Sequence, residues 1–393
     1  MNYRSGSGED KLSIIGFGCM RFPKKGNSID MQETEKEILH AIDCGVNYFD
    51  TAYIYSGSEE ALGTILDKNK LRDQVNIATK LPYYLLKKRE DMDRFFEEHL
   101  KRLKTDYIDY YLMHMLPDVT MWGKLVDMGI LDWLEEKKRL GQIRHIGFSY
   151  HGNTATFIEL IDAYDWEFCQ IQYNYMDEFS QAGKKGLQYA ASKGIPVIIM
   201  EPLRGGRLVN DLPKNALLQF KEAKKTFSPA EWALRWLWNQ REVSVVLSGM
   251  NSMEMLDENI RIASEVQVGE LEESDFELFD RVRAAINEKI KVACTGCSYC
   301  MPCPMGVDIP GSFRCLNVSY TDGYWNGFRE YFMCTTMRAQ KSNASLCIAC
   351  GKCEQHCPQS IEIRKELKYV KRRFEHPGFK IIAWVVKHIM HIG

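Results

Sequence analysis

Two sets of residues in this 393-residue sequence have the types and spacing to do chemistry. The first is a series of ionisable side chains that close successive apolar runs. Asp50 closes one run and opens DTAYIYSGSEEALG, Lys80 closes the next, and His114 the one after. A free tyrosine, with a pKa of about 10, is a poor acid at neutral pH. A nearby ammonium favours the phenolate. Lys80, held by Asp50, would thus lower the pKa of Tyr55 and tune it to protonate an oxygen that becomes an alkoxide. His114 would hydrogen-bond and orient the same carbonyl oxygen. Tyr53 is a rival donor that spacing alone leaves in play. Taken singly, each of these residues reads as well as a capping or ion-pair group.

The second set is cysteine. Thirteen are present, and eight form two runs near the end of the chain. Cys347, Cys350, Cys353 and Cys357, followed by proline, have the C-x2-C-x2-C-x3-C-P spacing of bacterial ferredoxins. Cys294, Cys297, Cys300 and Cys303 begin identically but have two residues rather than three before Cys303-Pro304. Two [4Fe–4S] clusters are expected, with a single cluster or zinc as alternatives. In two-cluster ferredoxins the fourth cysteine of each run serves the other cluster. That rule groups Cys294, Cys297, Cys300 with Cys357, and Cys347, Cys350, Cys353 with Cys303. Cys315 and Cys334 read as buried thiols, and Cys19, Cys44 and Cys169 as core or loop residues.

The elements that position these groups alternate. Short runs rich in β-branched and aromatic residues, apolar on both faces, read as strands of a parallel sheet: Ser13–Gly16, Val46–Asp50, Val75–Thr79, Tyr107–Met113, Ile143–Gly147, Cys169–Tyr173, Pro196–Met200 and Val243–Leu247. Amphipathic segments lie between them, such as Glu33–Asp43, Asp91–Lys104 and Gly123–Leu140. Gly45, Gly141 and Gly194 stand where helices should stop. Eight such units suit a (β/α)8 TIM barrel, an α/β fold whose chemistry sits at the C-terminal strand ends. The open doubly wound sheet is the alternative, but the first turn lacks a G-x-G-x-x-G fingerprint. The expected division is a barrel over 1–273, a connecting helix over 274–292, a small ferredoxin-like iron–sulfur domain over 293–370 and a basic, then apolar tail over 371–393. The connecting helix could carry the clusters to the active-site face or leave them on the barrel wall.

DTAYIYSGSEEALG, IATKLP, IDYYLMH, IRHIGFS and the QYN motif, in that order at the strand ends, resemble the aldo/keto reductases over roughly Ile14 to Asn259. The resemblance implies hydride transfer between a nicotinamide cofactor, NADPH or NADH, and a small-molecule carbonyl: an aldehyde, ketone or quinone. It places the family's catalytic tetrad on Asp50, Tyr55, Lys80 and His114. It implies cofactor contacts from Cys19, Met20, Asp50, Ser149, Gln170, Met200, Leu203, Gly205, Glu258 and Asn259. There are departures. Met200 stands where an aromatic ring usually stacks on the nicotinamide. Gly249 and Met255 stand where NADPH-preferring members carry cations, and losing those removes bonds that select a 2′-phosphate. Tyr150 replaces an asparagine, and His151 follows it, either as a substrate contact or as a loop histidine.

Three readings remain open: a nicotinamide-dependent reductase with auxiliary clusters, a reductase fed through its clusters by a ferredoxin-like partner, and a non-catalytic electron-transfer or regulatory subunit. The net charge of -2 gives no reason to expect nucleic acid. No apolar run reaches transmembrane length, and no secretory signal is visible, so a cytoplasmic setting is expected. The tail FKIIAWVVKHIMHIG could lie in a membrane interface or pack on the domain or on a second copy, making a homo-oligomer.

Overall fold

The computed structural model describes residues 1–288, 290–294, 296, 299–338, 340–357 and 361–389. Cys297 lies outside them, as do the last four residues of the tail. Eight parallel strands close into a barrel. They are β1 (Ile15–Gly18), β2 (Tyr48–Asp50), β3 (Asn76–Leu81), β4 (Ile108–Met113), β5 (Ile143–Tyr150), β6 (Phe168–Gln172), β7 (Val197–Met200) and β8 (Val243–Ser248), and β8 pairs with β1. All eight expected strands are present, with ends displaced by up to three residues.

Pleating points alternate residues into the lumen. Its floor is apolar: Tyr48, Ala78, Tyr110, Leu112, Phe168, Ile198 and Val245 form one closed cluster. Two residues beyond Tyr48, Ala78, Leu112 and Phe168 come Asp50, Lys80, His114 and Gln170. The period of two therefore brings the polar strand ends to the same inner face, directly above that floor. A hairpin of Tyr3–Ser5 with Lys11–Ser13, not expected from sequence, closes the opposite end and adds Leu12 to the floor.

Helices ring the strands. Gly45, Gly141 and Gly194 follow helix ends with φ of 90°, 70° and 76°, a left-handed conformation that glycine adopts without a Cβ clash. The single helix expected over Gly123–Leu140 is two, Val119–Asp127 and Ile130–Arg139, because Gly129 at φ 89° breaks it. The connecting helix spans Glu273–Asn287, shorter than the Ser274–Val292 expected. Phe279 anchors it against Phe220, Trp232 and Tyr175. Near its end Arg283 donates to Tyr175 O at 2.9 Å, beyond the tip of β6.

The cysteine-rich segment thus begins at the barrel mouth, and its helices pack there rather than on the wall. Ile309–Thr321, Tyr324–Tyr331 and Ile363–Phe374 share a second core around Phe313, Leu316, Tyr331, Leu367 and Phe374. Buried ion pairs stitch this unit to the barrel. Asp177, after β6, takes two bonds from Arg204 at 2.7 and 2.8 Å and a longer one from Arg314 at 3.4 Å. Arg314 also pairs with Glu330 at 2.9 Å, and Arg207 with Asp322 at 3.1 Å. Arg338 reaches Pro117 O. The tail helix, Pro377–Ile389, packs Phe379 on Tyr331 and Phe332 and leaves Ile381, Ile382, Trp384 and Val385 exposed. Among the described residues, no helix is long and apolar enough to cross a membrane.

Arg204 and Arg314 hold the Asp177 carboxyl well below its usual range, against the upward push of burial. The pair therefore stabilises the fold above the ordinary carboxylate pKa of about 3.9 and loses that contribution as pH falls below it. Removing one partner of a buried pair strands the other charge, at a cost of about 3–5 kcal/mol. Arg204→Met should lower the melting temperature at pH 7 by an amount consistent with that cost. Its deficit relative to the parent should shrink at pH 3, as scanning calorimetry would show.

Candidate active site

Asp50 and Lys80 meet because β2 and β3 pair with Asp50 opposite Ala78, placing Lys80 one pleat further on the same face. Lys80 donates to both Asp50 oxygens, at 2.7 and 2.8 Å, and to Thr51 O at 2.7 Å. Its three protons are thereby used. Both side chains are buried, and Gln170 adds a bond to Asp50 at 3.1 Å. Burial raises the Asp50 carboxyl, and Lys80 opposes the rise.

Tyr55 lies beside this pair, with Lys80 Nζ 5.3 Å from its ring centroid and the His114 ring 6.4 Å away, edge-on. The net shift of the Tyr55 phenol runs opposite to the lowering expected from Lys80. Burial pushes it well above the usual value, and Asp50, Tyr84, Glu201 and Cys19 push the same way. Lys80 is already matched by Asp50, so desolvation decides the outcome. Tyr55 is a firmly protonated acid. Tyr53 leaves the contest: its ring packs on Phe95 and His99 and under Arg102.

Burial also drives His114 well below its ordinary pKa, and Lys80, His151 and His99 add to the effect. The imidazole is neutral. Tyr84 OH sits 3.3 Å from His114 Nδ1. The Tyr84 phenol is also pushed up by burial and keeps its proton, so it can donate to Nδ1 when that nitrogen is unprotonated. In that arrangement the histidine proton rests on Nε2, available to a ligand oxygen. Tyr84 was missed in the sequence, although its place in LPYYLL, four residues beyond Lys80, was a usable signal.

The other expected positions divide into groups. Cys19 is buried close enough to Asp50 and Lys80 to feel both charges, whereas Met20 is exposed. Ser149 Oγ accepts from Met115 N at 2.7 Å, pinning the tips of β4 and β5 together. Gln170 Oε1 is buried without a partner among the described residues, and an amide N–H of a ligand would satisfy it. Met200 ends β7. Leu203 and Gly205 form the loop beyond, where Arg21 donates to Gly205 O at 2.9 Å and its chain also lies against Gly249. Glu258 accepts from Ser228 at 2.6 Å, and Asn259 donates to Ser248 at 3.1 Å. Met255 is exposed, and neither it nor Gly249 brings a cation, but Arg21 does.

In the cluster segment, Cys300, Cys303, Cys347, Cys350 and Cys353 line one cavity of about 300 Å³. Gly296 and Ala349, each just before the second cysteine of its run, have φ of 72° and 58°. Ala349 N donates to Cys347 Sγ at 3.4 Å. The Cys353 thiol is raised by burial, then Glu354, with Cys347 and Cys303 contributing. Cys300 and Cys303 of the first run thus lie beside the second run. Among the described residues, no three ligating side chains converge on one point; the thiols line a wall. Cys294 and Cys357 lie partly buried against the same core. Cys315 and Cys334 are buried in contact with each other.

Residues 14–284 match the model of the aldo/keto reductase family, and residues 293–362 match that of the 4Fe-4S dicluster domain. A Melia azedarach protein named 7-acetyl-epi-neemfruitin B aldo-keto reductase is 30% identical over 274 residues, 64% of this chain and 80% of its own length. L-galactose dehydrogenase of Arabidopsis thaliana is 26% identical over 290 residues, 65% of this chain and 86% of its own. Among solved structures, a Klebsiella pneumoniae aldo-keto reductase in complex with NADPH aligns with TM-score 0.59 at 24% identity, covering 72% of this chain and 96% of its own.

Because His114 is depressed in the fold, the unfolded state binds more protons below the ordinary histidine pKa of about 6.5. Stability is therefore lost as pH falls below that value. The His114 ring protons should show no titration between pH 6 and 8 by NMR, with the signal assigned by its loss in His114→Gln.

Proposed function

The chain belongs to the aldo/keto reductase family, and from that premise we propose that it transfers a hydride from a nicotinamide cofactor to a small aldehyde, ketone or quinone. The observation that carries the proposal is the closed set of Asp50, Lys80, Tyr55 and His114 over an apolar floor. The neutral His114 directs its Nε2–H at the carbonyl oxygen. The protonated Tyr55 gives its proton to that oxygen as it becomes an alkoxide. Lys80, bound to Asp50, faces the developing charge on the ring of Tyr55 as the proton leaves.

The nicotinamide supplies the hydride. Its carboxamide suits Gln170 Oε1 and Ser149, and the lumen behind Cys19 and Met200 suits its ring. Leu203 and Gly205 would cover the pyrophosphate, and Met20, Glu258 and Asn259 would line the adenosine end. In this reading 1–273 is the reductase barrel, 274–292 its connecting helix, 293–370 a domain for two [4Fe–4S] clusters and 371–393 a tail. The ferredoxin crossing rule assigns Cys347, Cys350, Cys353 and Cys303 to one cluster and Cys294, Cys297, Cys300 and Cys357 to the other; the cavity, which Cys300 lines as well as Cys303, supports the approach of the two runs. The rim of that cavity, with Tyr299 and Ile348 exposed, also favours a second reading in which a ferredoxin-like partner feeds electrons through the clusters.

Anaerobic titration of the cluster-loaded protein with NADPH and with NADH, followed by tryptophan fluorescence, tests the first reading. Saturable quenching by either supports it. No binding of either rejects it and leaves the cluster-fed reductase and the non-catalytic electron-transfer or regulatory subunit. Tyr55→Phe should lower kcat about 10²–10⁴-fold, the range of general acid catalysis, while the cofactor Kd stays within twofold. Cys350→Ser should reduce bound iron from about eight to about four per chain by iron and sulfide analysis, since each cubane holds four.

A further inference from the structure

We infer that His151 presents an unprotonated Nε2 to the substrate site and selects carbonyl substrates that carry a hydroxyl on the neighbouring carbon. This rests on the reductase reading above and adds a substrate class to it.

The argument starts at Asp177, a carboxylate that can only accept hydrogen bonds. Gln172 Nε2 donates to Asp177 Oδ2 at 3.0 Å. That fixes the Gln172 amide, so its Oε1 faces the other way and accepts from Gln181 Nε2. The Gln181 amide is fixed in turn, and its Oε1 lies 3.2 Å from His151 Nδ1. An amide oxygen has lone pairs and no proton to offer. Nδ1 must therefore carry the hydrogen. Burial keeps the ring neutral, although Glu201 and the Gln181 bond pull the other way. One proton on Nδ1 leaves Nε2 bare. The direction of each bond in this chain follows from the charge of Asp177, which Arg204 and Arg314 hold in place.

A bond donated by Tyr84 to His114 Nδ1 gives that ring the opposite tautomer, with its proton on Nε2. The two rings project from neighbouring strands. Met113 of β4 lies opposite Phe148 of β5, so His114 is level with Ser149, and His151 stands one pleat above. His151 is close enough to act on His114, and Glu201, which acts on His151, also acts on Tyr55. The mouth thus offers one imidazole N–H donor and one imidazole acceptor. A carbonyl oxygen takes the donor. The acceptor wants an O–H, and a hydroxyl one carbon away supplies it. A site built to bond a hydroxyl rejects the analogue that lacks it far more strongly than an apolar pocket would. Arg314 comes from the cluster domain, so that domain helps to set the substrate preference through Asp177.

The test compares hydroxyacetone with acetone in the cluster-loaded protein, as the ratio of their kcat/KM values under anaerobic conditions. His151→Phe should lower that ratio at least tenfold, and Gln181→Leu, acting through His151, should lower it in the same direction. A ratio within twofold of the parent in both variants overturns the inference. Should neither ketone oxidise a nicotinamide, the reductase reading fails, and the tautomer is read directly. In ¹⁵N NMR the signals lost in His151→Phe should report a protonated Nδ1 and an unprotonated Nε2. A proton on Nε2 overturns the inference whatever the activity.

Discussion

The closed barrel fixes what the rest of the molecule can do. Once eight parallel strands close, alternate side chains have no place but the lumen, and a lumen of this size is filled by side chains. Aromatic and aliphatic residues fill it from the hairpin end to the level of Tyr110 and Leu112. The next layer is Asp50, Lys80, His114 and Gln170. These groups sit on an apolar plug and lose water from below. Asp50 and Lys80 survive there because they satisfy each other, with Thr51 O taking the remaining lysine proton. An unpaired charge at that depth would cost several kcal/mol.

Desolvation, rather than the charge of Lys80, then sets the protonation states. The charge of Lys80 acts on the His114 imidazole and the Cys19 thiol, but at the two phenols burial dominates. Tyr55 and Tyr84 both stay protonated, and His114 stays neutral. A proton donor and a neutral imidazole donor are the forms needed to polarise a carbonyl and protonate an alkoxide. The reverse reaction asks more of the site, since Tyr55 must first lose a proton that burial holds.

Much of this was legible in the sequence, for a definite reason. A buried parallel strand is short, apolar and ends where polar residues begin, so the eight runs and the groups that close them were readable. Strand ends moved by a few residues because apolar runs do not mark where ladder bonds stop. The Gly123–Leu140 periodicity concealed a break, since Gly129 can sit within a helix or end one. Tyr55's pKa was misjudged because a sequence shows which charges are near but not how little water reaches them. The seam of Asp177, Arg204 and Arg314 was invisible. Its members lie more than a hundred residues apart at the extremes, and although Arg204 stands between Leu203 and Gly205, nothing in the sequence pairs it with Asp177 or Arg314.

The position of the cysteine-rich domain bears on how clusters and hydride chemistry coexist. A hydride moves two electrons and a [4Fe–4S] cluster passes one, so a direct relay between them is awkward without an intermediate carrier. The structure offers a connection that needs no relay. Helix Ile309–Thr321 begins with Ile309 in the wall of the thiol-lined cavity and carries Arg314 to Asp177 five residues later. At about 1.5 Å per residue, that is about 7.5 Å along one rigid element. From Asp177 the bonded amides run through Gln172 and Gln181 to His151. Filling the cavity with a cluster would fix the start of that helix, and the helix would fix the charge that orients the amides. A cluster can thus govern the site by holding a domain in place, even if no electron leaves it.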